Sequence, residues 1–213
     1  VPVVLFFDEV DSIAAMRGES HMRVDDRVLN AFMAELDGLE ARGNVLVVTA
    51  TNRLDAIDPG GTRAGRLGDL VIEVPRPNMQ AGRAILAKYL VPDIPYERNG
   101  HDPSTAREIL LDAAVSRLYA PNGDNDVARI TFRDARQEIV HAPHLVSGAN
   151  IAKIARSSLE RACRRAVRTG ERHVGLEDIL AAIEEELEAA ASMLSPANCR
   201  RYLSHLPQDV DVV

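Results

Sequence analysis

The chain has 213 residues, which is enough for one large domain or two small ones. Its 46% hydrophobic and 27% charged residues are typical of a folded globular protein and argue against wholesale disorder. The formal net charge of -7 argues against a general nucleic-acid binder, because phosphate contacts need clustered lysines and arginines.

The first third of the chain alternates strands and a helix. Residues 3–7 form an uninterrupted apolar run, which predicts a strand buried on both faces, as in parallel sheets. This run is too short to span a bilayer. Apolar residues at helical spacing follow from residue 24, and Gly38 ends that predicted helix. Further strands are predicted at 45–50 and 70–74, so the order is that of an α/β parallel sheet.

From Pro77 onward the pattern changes to helices with short connections. Asn78 is predicted to cap one helix, Thr105 with Glu108 forms a candidate capping box for a second, and Ser147 is predicted to cap a third. The predicted bounds are about 78–90, 105–119 and 147–170 for these helices, 129–133 and 138–141 for two short strands, and 176–191 for a last helix. The predicted fold is therefore part of an α/β domain followed by a mostly helical domain with a small β-hairpin.

Two acidic residues, Asp8 and Glu9, follow the first predicted strand directly. The carboxyl ends of parallel strands are where α/β folds bind ligands. Nucleotide hydrolysis needs one acid to hold Mg²⁺, usually through water, and another to orient or deprotonate the attacking water. Adjacent residues leaving a strand point in different directions, so this pair can divide the two tasks. Taken alone, an acidic pair between a strand and a helix is more often structural.

Two further features are consistent with the same chemistry. Asn52 follows the second predicted strand, where its amide can hydrogen-bond the attacking water or a γ-phosphate, although an isolated asparagine there is usually a turn residue. Arg63 and Arg66 lie three residues apart in a glycine-containing loop and can present two guanidinium groups to phosphate oxygens. An arginine supplied by a neighbouring subunit accelerates phosphoryl transfer by roughly 10³–10⁵. Two solvated surface arginines are the ordinary alternative.

Together these pieces carry a family resemblance. The runs VLFFDEVDSI from Val4, ATNR from Ala50, IDP from Ile57 and GRL from Gly65 resemble the Walker B motif and second region of homology of AAA ATPases. The resemblance implies ATP and Mg²⁺ as cofactors, with Asp8 coordinating the metal through water and Glu9 as catalytic base. It implies Asn52 as sensor 1, and Arg63 and Arg66 as arginine fingers that complete the neighbouring subunit's site.

The helical part shares the resemblance. Ser147, Gly148 and Ala149 resemble the small-residue helix start that packs near the nucleotide base in the family's C-terminal helical domain. The implied layout is the C-terminal half of an AAA+ α/β subdomain over 1–76, a helical lid subdomain over 77–195 and a tail over 196–213. A hairpin insertion is expected in the lid at about 128–142.

The resemblance narrows to the actinobacterial proteasome-associated ATPases of the ARC/Mpa type. It is carried by FFDE from Phe6, GRL from Gly65, the predicted hairpin and VSGA from Val146. These ATPases form hexameric rings that unfold proteins tagged with the ubiquitin-like protein Pup and feed them to a 20S proteasome. The resemblance therefore implies a cytoplasmic homo-hexameric unfoldase with protein substrates, and no nucleic-acid or membrane partner.

Some residues depart from the family pattern. Gly60 and Gly61 stand where two bulky residues are usual, which can loosen the loop that aims the arginines, and Gly68 stands where an acid is typical. The tail over 208–213 lacks the penultimate tyrosine of proteasome-activating tails. The tail thus favours a Cdc48-like general remodeller without a proteasome partner, whereas the hairpin favours the proteasomal type.

No G-x-x-x-x-G-K-[ST] phosphate-binding loop occurs in the chain. Since that loop's backbone amides and lysine cradle the phosphates, we expect this chain alone to be inactive and its parent to be an ATPase. A Walker A motif upstream of Val1 would establish the enzyme. Without one, the chain would be a non-catalytic assembly or interaction domain.

The cysteines and one histidine pair have simpler interpretations. Cys163 is predicted on the apolar side of a helix, as a small hydrophobe, and the two cysteines have no metal or redox spacing. His141 and His144 can face one metal ion, but Pro143 between them predicts a loop and no further ligand completes a site.

Two charged stretches and one loop remain. The arginines over 161–168 and the glutamates over 184–188 are interpreted as solvated helix faces. A subunit contact is the alternative for the arginine face. Residues 16–20 lie where related ATPases place a second pore loop, so Arg17 and Met22 are candidates for gripping a protein substrate.

Overall fold

The computed structural model describes residues 1–13, 23–40, 44–54, 57, 67, 69–120, 123, 125–199 and 203. The chain forms two compact units, Val1–Val74 and Pro75–Val213. Several sequence predictions lie outside the described residues: the pore-loop residues Arg17 and Met22, Gly60 and Gly61, the arginines Arg63 and Arg66, Gly68, and the tail over 208–213.

The first unit is built on two parallel strands joined by a helical crossover. β1 (Val3–Phe7) pairs in parallel with β2 (Val45–Thr49). The crossover contains a 3-10 helix (Val10–Ser12) and α1 (Arg23–Glu40). Parallel strands need such a crossover, because a tight hairpin joins only antiparallel strands. The predicted α/β class with a partial parallel sheet is confirmed.

One face of this sheet packs on α1 and the other is exposed. The core of the unit consists of Val10, Met33, Leu36 and Ile57, with Phe7, Phe32, Val47 and Leu67 packed against it. On the opposite face, Val4, Phe6 and Leu46 are 64%, 63% and 59% exposed. Successive side chains alternate between the faces of a strand, so burial of one face gives this pattern. The prediction of strands buried on both faces is therefore wrong for the described residues.

Two predicted bounds in this unit also differ from the structure. α1 continues through Gly38 to Glu40, since a helix tolerates an interior glycine at a cost of about 1 kcal/mol. Residues 70–74 form no strand in the part of the chain that the structure describes, and Leu70, Ile72 and Val74 are exposed. A strand needs hydrogen bonds to a neighbouring strand, and no described strand lies beside this segment.

The second unit is mostly helical. Its elements are α2 (Met79–Tyr89), α3 (Pro103–Tyr119), β3 (Asp126–Thr131), β4 (Gln137–His141), α4 (Ala142–Leu145), α5 (Gly148–Thr169) and α6 (Leu176–Ser192). The longer helices share one core, in which Leu86, Leu111, Ile154 and Ile183 are fully buried. β3 and β4 form an antiparallel hairpin, as predicted. In the described part of the chain, no helix combines the length and apolar character needed to cross a bilayer.

The hairpin has a small core of its own. Ile130, Phe132 and Val140 cluster there with Leu145 and with two residues that follow α6, Cys199 and Leu203. The segment after α6 therefore packs on the hairpin.

Cys163 is exposed, so its predicted burial is wrong. The buried stripe of α5 includes Ile154, Ala155, Ser158 and Ala162. One further residue rotates by about 100° around a helix, which carries Cys163 off that stripe.

The helix caps of this unit test three predictions. Asn78 caps α2 through its side-chain oxygen, as predicted. The capping box of Thr105 and Glu108 is wrong, because α3 begins two residues earlier with Asp102 as its N-cap and Pro103 in its first turn. Glu108 instead forms ion pairs with two arginines. Ser147 caps α5, which ends at Gly170, also as predicted.

His141 and His144 lie on a helical turn rather than on the predicted loop. Proline is tolerated in the first turn of a helix, so α4 can include Pro143. His141 Nδ1 lies 2.8 Å from Asp126 Oδ1, and the two imidazole centroids are 5.5 Å apart. These contacts connect the end of β4 to the start of β3.

Candidate functional site

The carboxyl ends of β1 and β2 bring together three of the predicted site residues. Asp8 and Glu9 directly follow β1, and Asn52 lies three residues beyond the end of β2. Because the two strands are parallel and in register, the segments that follow them leave the sheet at the same edge. All three side chains are exposed. The structure thus places two carboxylates and one amide at a solvent-facing edge, where α/β folds bind ligands.

Asp8 and Glu9 form a two-residue excursion from the β-ladder. Ala50 N donates to Phe7 O at 2.8 Å, and Val10 N donates to Ala50 O at 3.0 Å. Both polar backbone groups of Ala50 therefore bond to the residues that flank the acidic pair. This arrangement moves the two carboxylates out of the ladder while the chain on either side stays fixed.

The backbone of Glu9 is left-handed, with φ of 51° and ψ of 45°. A residue with a Cβ atom pays roughly 1–2 kcal/mol for this conformation. The neighbouring structure holds it in place: Val10 is fully buried, and Asp8 Oδ1 accepts the Glu9 N–H at 3.0 Å. Strained residues of this kind cluster at functional sites. No pattern in the sequence indicated the strain.

Thr51 and Asp11 also belong to this edge, although the sequence pattern predicts no separate role for either. Thr51 Oγ1 donates to Asp11 Oδ1 at 2.7 Å and accepts the Arg53 N–H at 2.9 Å. The signal for them was their place in the two motifs that carry the family resemblance. Their contacts fix the turn that presents Asn52.

The edge fits a magnesium ion held through water. Among the described residues, no group of three or more His, Cys, Asp or Glu side chains can hold a metal ion directly. Mg²⁺ usually keeps several waters and binds one or two carboxylates together with substrate phosphates. The exposed carboxylate of Asp8 meets that requirement.

The start of α5 contains the remaining predicted site residues that the structure describes, Ser147, Gly148 and Ala149. Ser147 N donates to Asn150 Oδ1 at 2.8 Å, and Asn150 N donates to Ser147 Oγ at 3.3 Å. This reciprocal pair satisfies two of the backbone donors that a helix N-terminus leaves free. Gly148 and Ala149 form the first turn. An ideal Cβ at Gly148 would make an ordinary 3.5 Å contact with Ile85.

Glu186 is buried, so the interpretation of the glutamates over 184–188 as a solvated face is wrong at this residue. It is 6% exposed. Its Oε1 accepts Asn150 Nδ2 at 2.5 Å, and its Oε2 lies 2.5 Å from Lys153 Nζ. Glu186 lies seven residues after Ile179 and three after Ile183, both fully buried. That helical spacing was the available signal, and its charge obscured it.

The arginine face of α5 is only partly solvated. Arg164 has a side chain that is 81% exposed, as predicted. Arg165 instead donates to Asp178 Oδ1 at 2.6 Å and to the His173 carbonyl at 2.5 Å. The hydrogen bond with Asp178 raises the pKa of Arg165. Arg165 therefore helps to hold the loop between α5 and α6.

Two family descriptions together match most of the chain. Residues 1–76 match the ATPase family associated with various cellular activities (AAA), and residues 77–201 match the ARC, AAA+ ATPase lid domain.

Individual relatives agree with this assignment. The chain is 36% identical over 205 residues to a proteasome-associated ATPase of Acidimicrobium ferrooxidans, covering 93% of this chain and 35% of that protein. It is 36% identical over 191 residues to a Kocuria rhizophila protein named AAA ATPase forming ring-shaped complexes, covering 87% of this chain and 33% of that protein. The chain spans about a third of the length of these curated relatives. The motifs at the strand edge, the lid and these similarities agree. The chain belongs to the AAA+ ATPases and carries a lid of the ARC type.

Proposed function

We propose that this chain supplies the water-activating residues and the lid of an ATP-driven protein unfoldase that works as a homo-hexameric ring. The observation that carries the proposal is the grouping of Asp8, Glu9 and Asn52 at one edge of a parallel sheet in an AAA+ chain. The relative from Kocuria rhizophila is named for ring-shaped complexes, which supports the assembly. The proposed location is the cytoplasm.

Each residue at the edge has a proposed part in ATP hydrolysis. Asp8 holds Mg²⁺ through water, and the bound metal neutralises phosphate charge. Glu9 takes a proton from the attacking water, while Asn52 orients that water or the γ-phosphate by hydrogen bonding. Arg63 and Arg66 reach the γ-phosphate of the neighbouring subunit and stabilise the charge that develops there.

The chain is proposed to consist of three parts. Residues 1–76 form the α/β part and 77–195 the lid, with the hairpin insertion at about 128–142 and a tail over 196–213. Ser147, Gly148 and Ala149 contact the nucleotide base. The chain matches only about a third of the length of these relatives. We therefore propose that the phosphate-binding loop lies elsewhere in the full-length protein, and we expect this chain alone to be inactive.

The acidic pair can be tested directly in the full-length protein. Glu9→Gln removes the proton acceptor, so we expect ATP binding to persist while turnover falls by roughly 10²–10⁴. Glu35→Gln, at an exposed site on α1, is the matched control and should turn over normally. Rapid turnover by Glu9→Gln would refute the proposed role.

The arginines can be tested by mixing two inactive variants. Consider a ring that contains both Arg66→Ala and Glu9→Gln subunits. An Arg66→Ala subunit keeps its own Glu9 and receives intact arginines from a neighbouring Glu9→Gln subunit. We expect ATPase activity to reappear on mixing and not in either variant alone. If mixing restores nothing, the arginines do not act between subunits.

The physiological partner is proposed to be a 20S proteasome, with substrates tagged by Pup. The name of the relative from Acidimicrobium ferrooxidans, a proteasome-associated ATPase, supports association with a proteasome. The Pup tag is proposed from the family resemblance alone. The second candidate is a Cdc48-like general remodeller without a proteasome partner. Capture of the 20S core and of Pup by the full-length protein would support the first. Unfolding activity without either capture would support the second.

A further inference from the structure

Glu186 is a buried acid whose two oxygens are both engaged at the start of α5. Oε1 accepts the Asn150 amide, and Oε2 pairs with Lys153, each at 2.5 Å. A buried carboxylate costs several kcal/mol unless it is paired and hydrogen-bonded. These two contacts offset that cost, so the acid and the first turns of α5 depend on each other.

The acid determines which way the Asn150 amide points. A carboxylate only accepts hydrogen bonds, so the NH₂ end of the amide must face Glu186. The carbonyl end then faces Ser147, where Oδ1 accepts the backbone N–H at 2.8 Å and the hydroxyl at 2.5 Å. A flipped amide would set its NH₂ group against the Ser147 N–H, donor against donor. Glu186 therefore controls the cap of α5 from a neighbouring helix.

Pairing of the two helices does not by itself explain a buried acid. The adjacent Glu185 also links α6 to α5, through Arg161 at 2.7 Å. Its side chain is 65% exposed, whereas that of Glu186 is 8% exposed. An exposed ion pair joins the helices without the desolvation cost. The distinctive contact of Glu186 is the one with Asn150.

We infer that Glu186 is a positioning residue for nucleotide binding: it orients Asn150, which holds the helix start formed by Ser147, Gly148 and Ala149 in the geometry that receives the nucleotide. The inference rests on the proposed function, because contact of that helix start with a nucleotide is itself part of the proposal. Glu186 does not touch the nucleotide and acts only through Asn150.

The test uses the full-length protein and compares Glu186→Ala with Glu185→Gln. Losing one hydrogen bond of this kind is expected to weaken the binding of a fluorescent ATP analogue and to raise the KM for ATP by about threefold to tenfold. We expect kcat to change little, since the water-activating residues are untouched. Glu185→Gln should leave both values unchanged, because its partner Arg161 lies thirteen residues beyond Gly148, about 20 Å along the helix.

A paired substitution separates positioning from general stability. Asn150→Asp sets a second carboxylate against Glu186 and should weaken nucleotide binding. Adding Glu186→Gln restores a donor–acceptor pair with its direction reversed, so the double variant should regain affinity. Circular dichroism melting checks that every variant is folded at the assay temperature.

Three results would overturn the inference. Folded Glu186→Ala protein could bind nucleotide as tightly as the unsubstituted protein. The double variant could stay as weak as Asn150→Asp. If the unsubstituted full-length protein binds no nucleotide, the proposed function fails and the inference fails with it, whereas in the first two cases the proposed function stands.

Discussion

The hydroxyl of Thr51 donates to Asp11 Oδ1 at 2.7 Å and joins segments forty residues apart. The same Oγ1 accepts the Arg53 N–H at 2.9 Å. One hydroxyl thus fixes the chain on both sides of Asn52. The proposed sensor of the γ-phosphate is aimed by this link between its turn and the segment that follows the acidic pair.

Replacing Thr51 with valine keeps the shape of the side chain and removes the hydroxyl. We expect ATP turnover by the full-length protein to fall by about tenfold, the effect of losing about 1.4 kcal/mol of hydrogen bonding to a charged group. Hydrogen exchange at the Arg53 amide should become faster. Thr51→Ser retains the hydroxyl and is the control. Equal turnover by the valine and serine variants would exclude this role.

Asp102 makes the stability of the second unit depend on pH. Hydrogen bonds from Ser104 and Thr105 lower the pKa of this carboxyl well below its usual value. A depressed folded-state pKa stabilises the fold above the unfolded-state pKa of about 4, and that contribution is lost as the pH falls further. Asp102→Asn keeps a capping oxygen but does not titrate there.

Melting temperatures between pH 7 and pH 2 test this cap. The melting temperature of the unsubstituted chain should fall more steeply below pH 4 than that of Asp102→Asn. Asp102→Ala should melt a few degrees lower at pH 7. Parallel curves for the unsubstituted and Asp102→Asn chains would contradict the role given to this carboxyl.

Gly82 lies where α2 meets the ring of Tyr119. A Cβ atom at Gly82 would fall 2.6 Å from Tyr119 Oη, and that hydroxyl donates to the Pro77 carbonyl at 2.9 Å. Gly82→Ala gains about 1 kcal/mol of helix propensity but must displace the ring, which costs about 1–3 kcal/mol together with the hydrogen bond. We expect a net loss of about 1 kcal/mol in urea unfolding.

Gly38→Ala is the matched control for Gly82→Ala in the unfolding experiment. Gly38 also lies inside a helix, but an ideal Cβ there has no neighbour within 4 Å. This substitution should stabilise the chain by about 0.5–1 kcal/mol, so the two alanines should act with opposite signs. A stabilising Gly82→Ala would show that the ring moves without penalty.

The two thiols should react at very different rates. Cys163 is exposed, while Cys199 is buried in the hairpin cluster. A maleimide should modify one thiol quickly, and the second only when the segment after α6 leaves the hairpin. Cys163→Ser should abolish the fast phase alone. Two fast thiols would mean that this segment does not stay packed in solution.

Short-range patterns predicted much of the fold. Asn78 and Ser147 were identified as caps because a capping side chain acts within three residues of its own position. β1 and β2 were recognised from their apolar runs, although a similar run over 70–74 forms no strand in the part of the chain that the structure describes. The capping box predicted at Thr105 failed because Asp102, which is equally suited to capping, stands three residues before Thr105.

Longer-range features were less accessible from sequence. Glu186 occupies a buried position on its helix, but a glutamate is taken as solvated unless its partner on another helix is known. The ladder bonds that flank Asp8 and Glu9 depend on the register between β1 and β2, which the apolar runs do not specify. Of the proposed site, the sequence identified the residues, and the structure added how three of them are held.

At Glu9 the residue that is best for fold stability differs from the residue that ATP hydrolysis is proposed to need. Glycine adopts a left-handed conformation without the penalty that a Cβ atom incurs, so selection for folding alone would favour glycine there. Glu9→Gly should therefore give a chain that is more stable and a parent that hydrolyses ATP very slowly. A screen for thermostable variants would discard the proposed general base, and its retention would depend on selection for turnover.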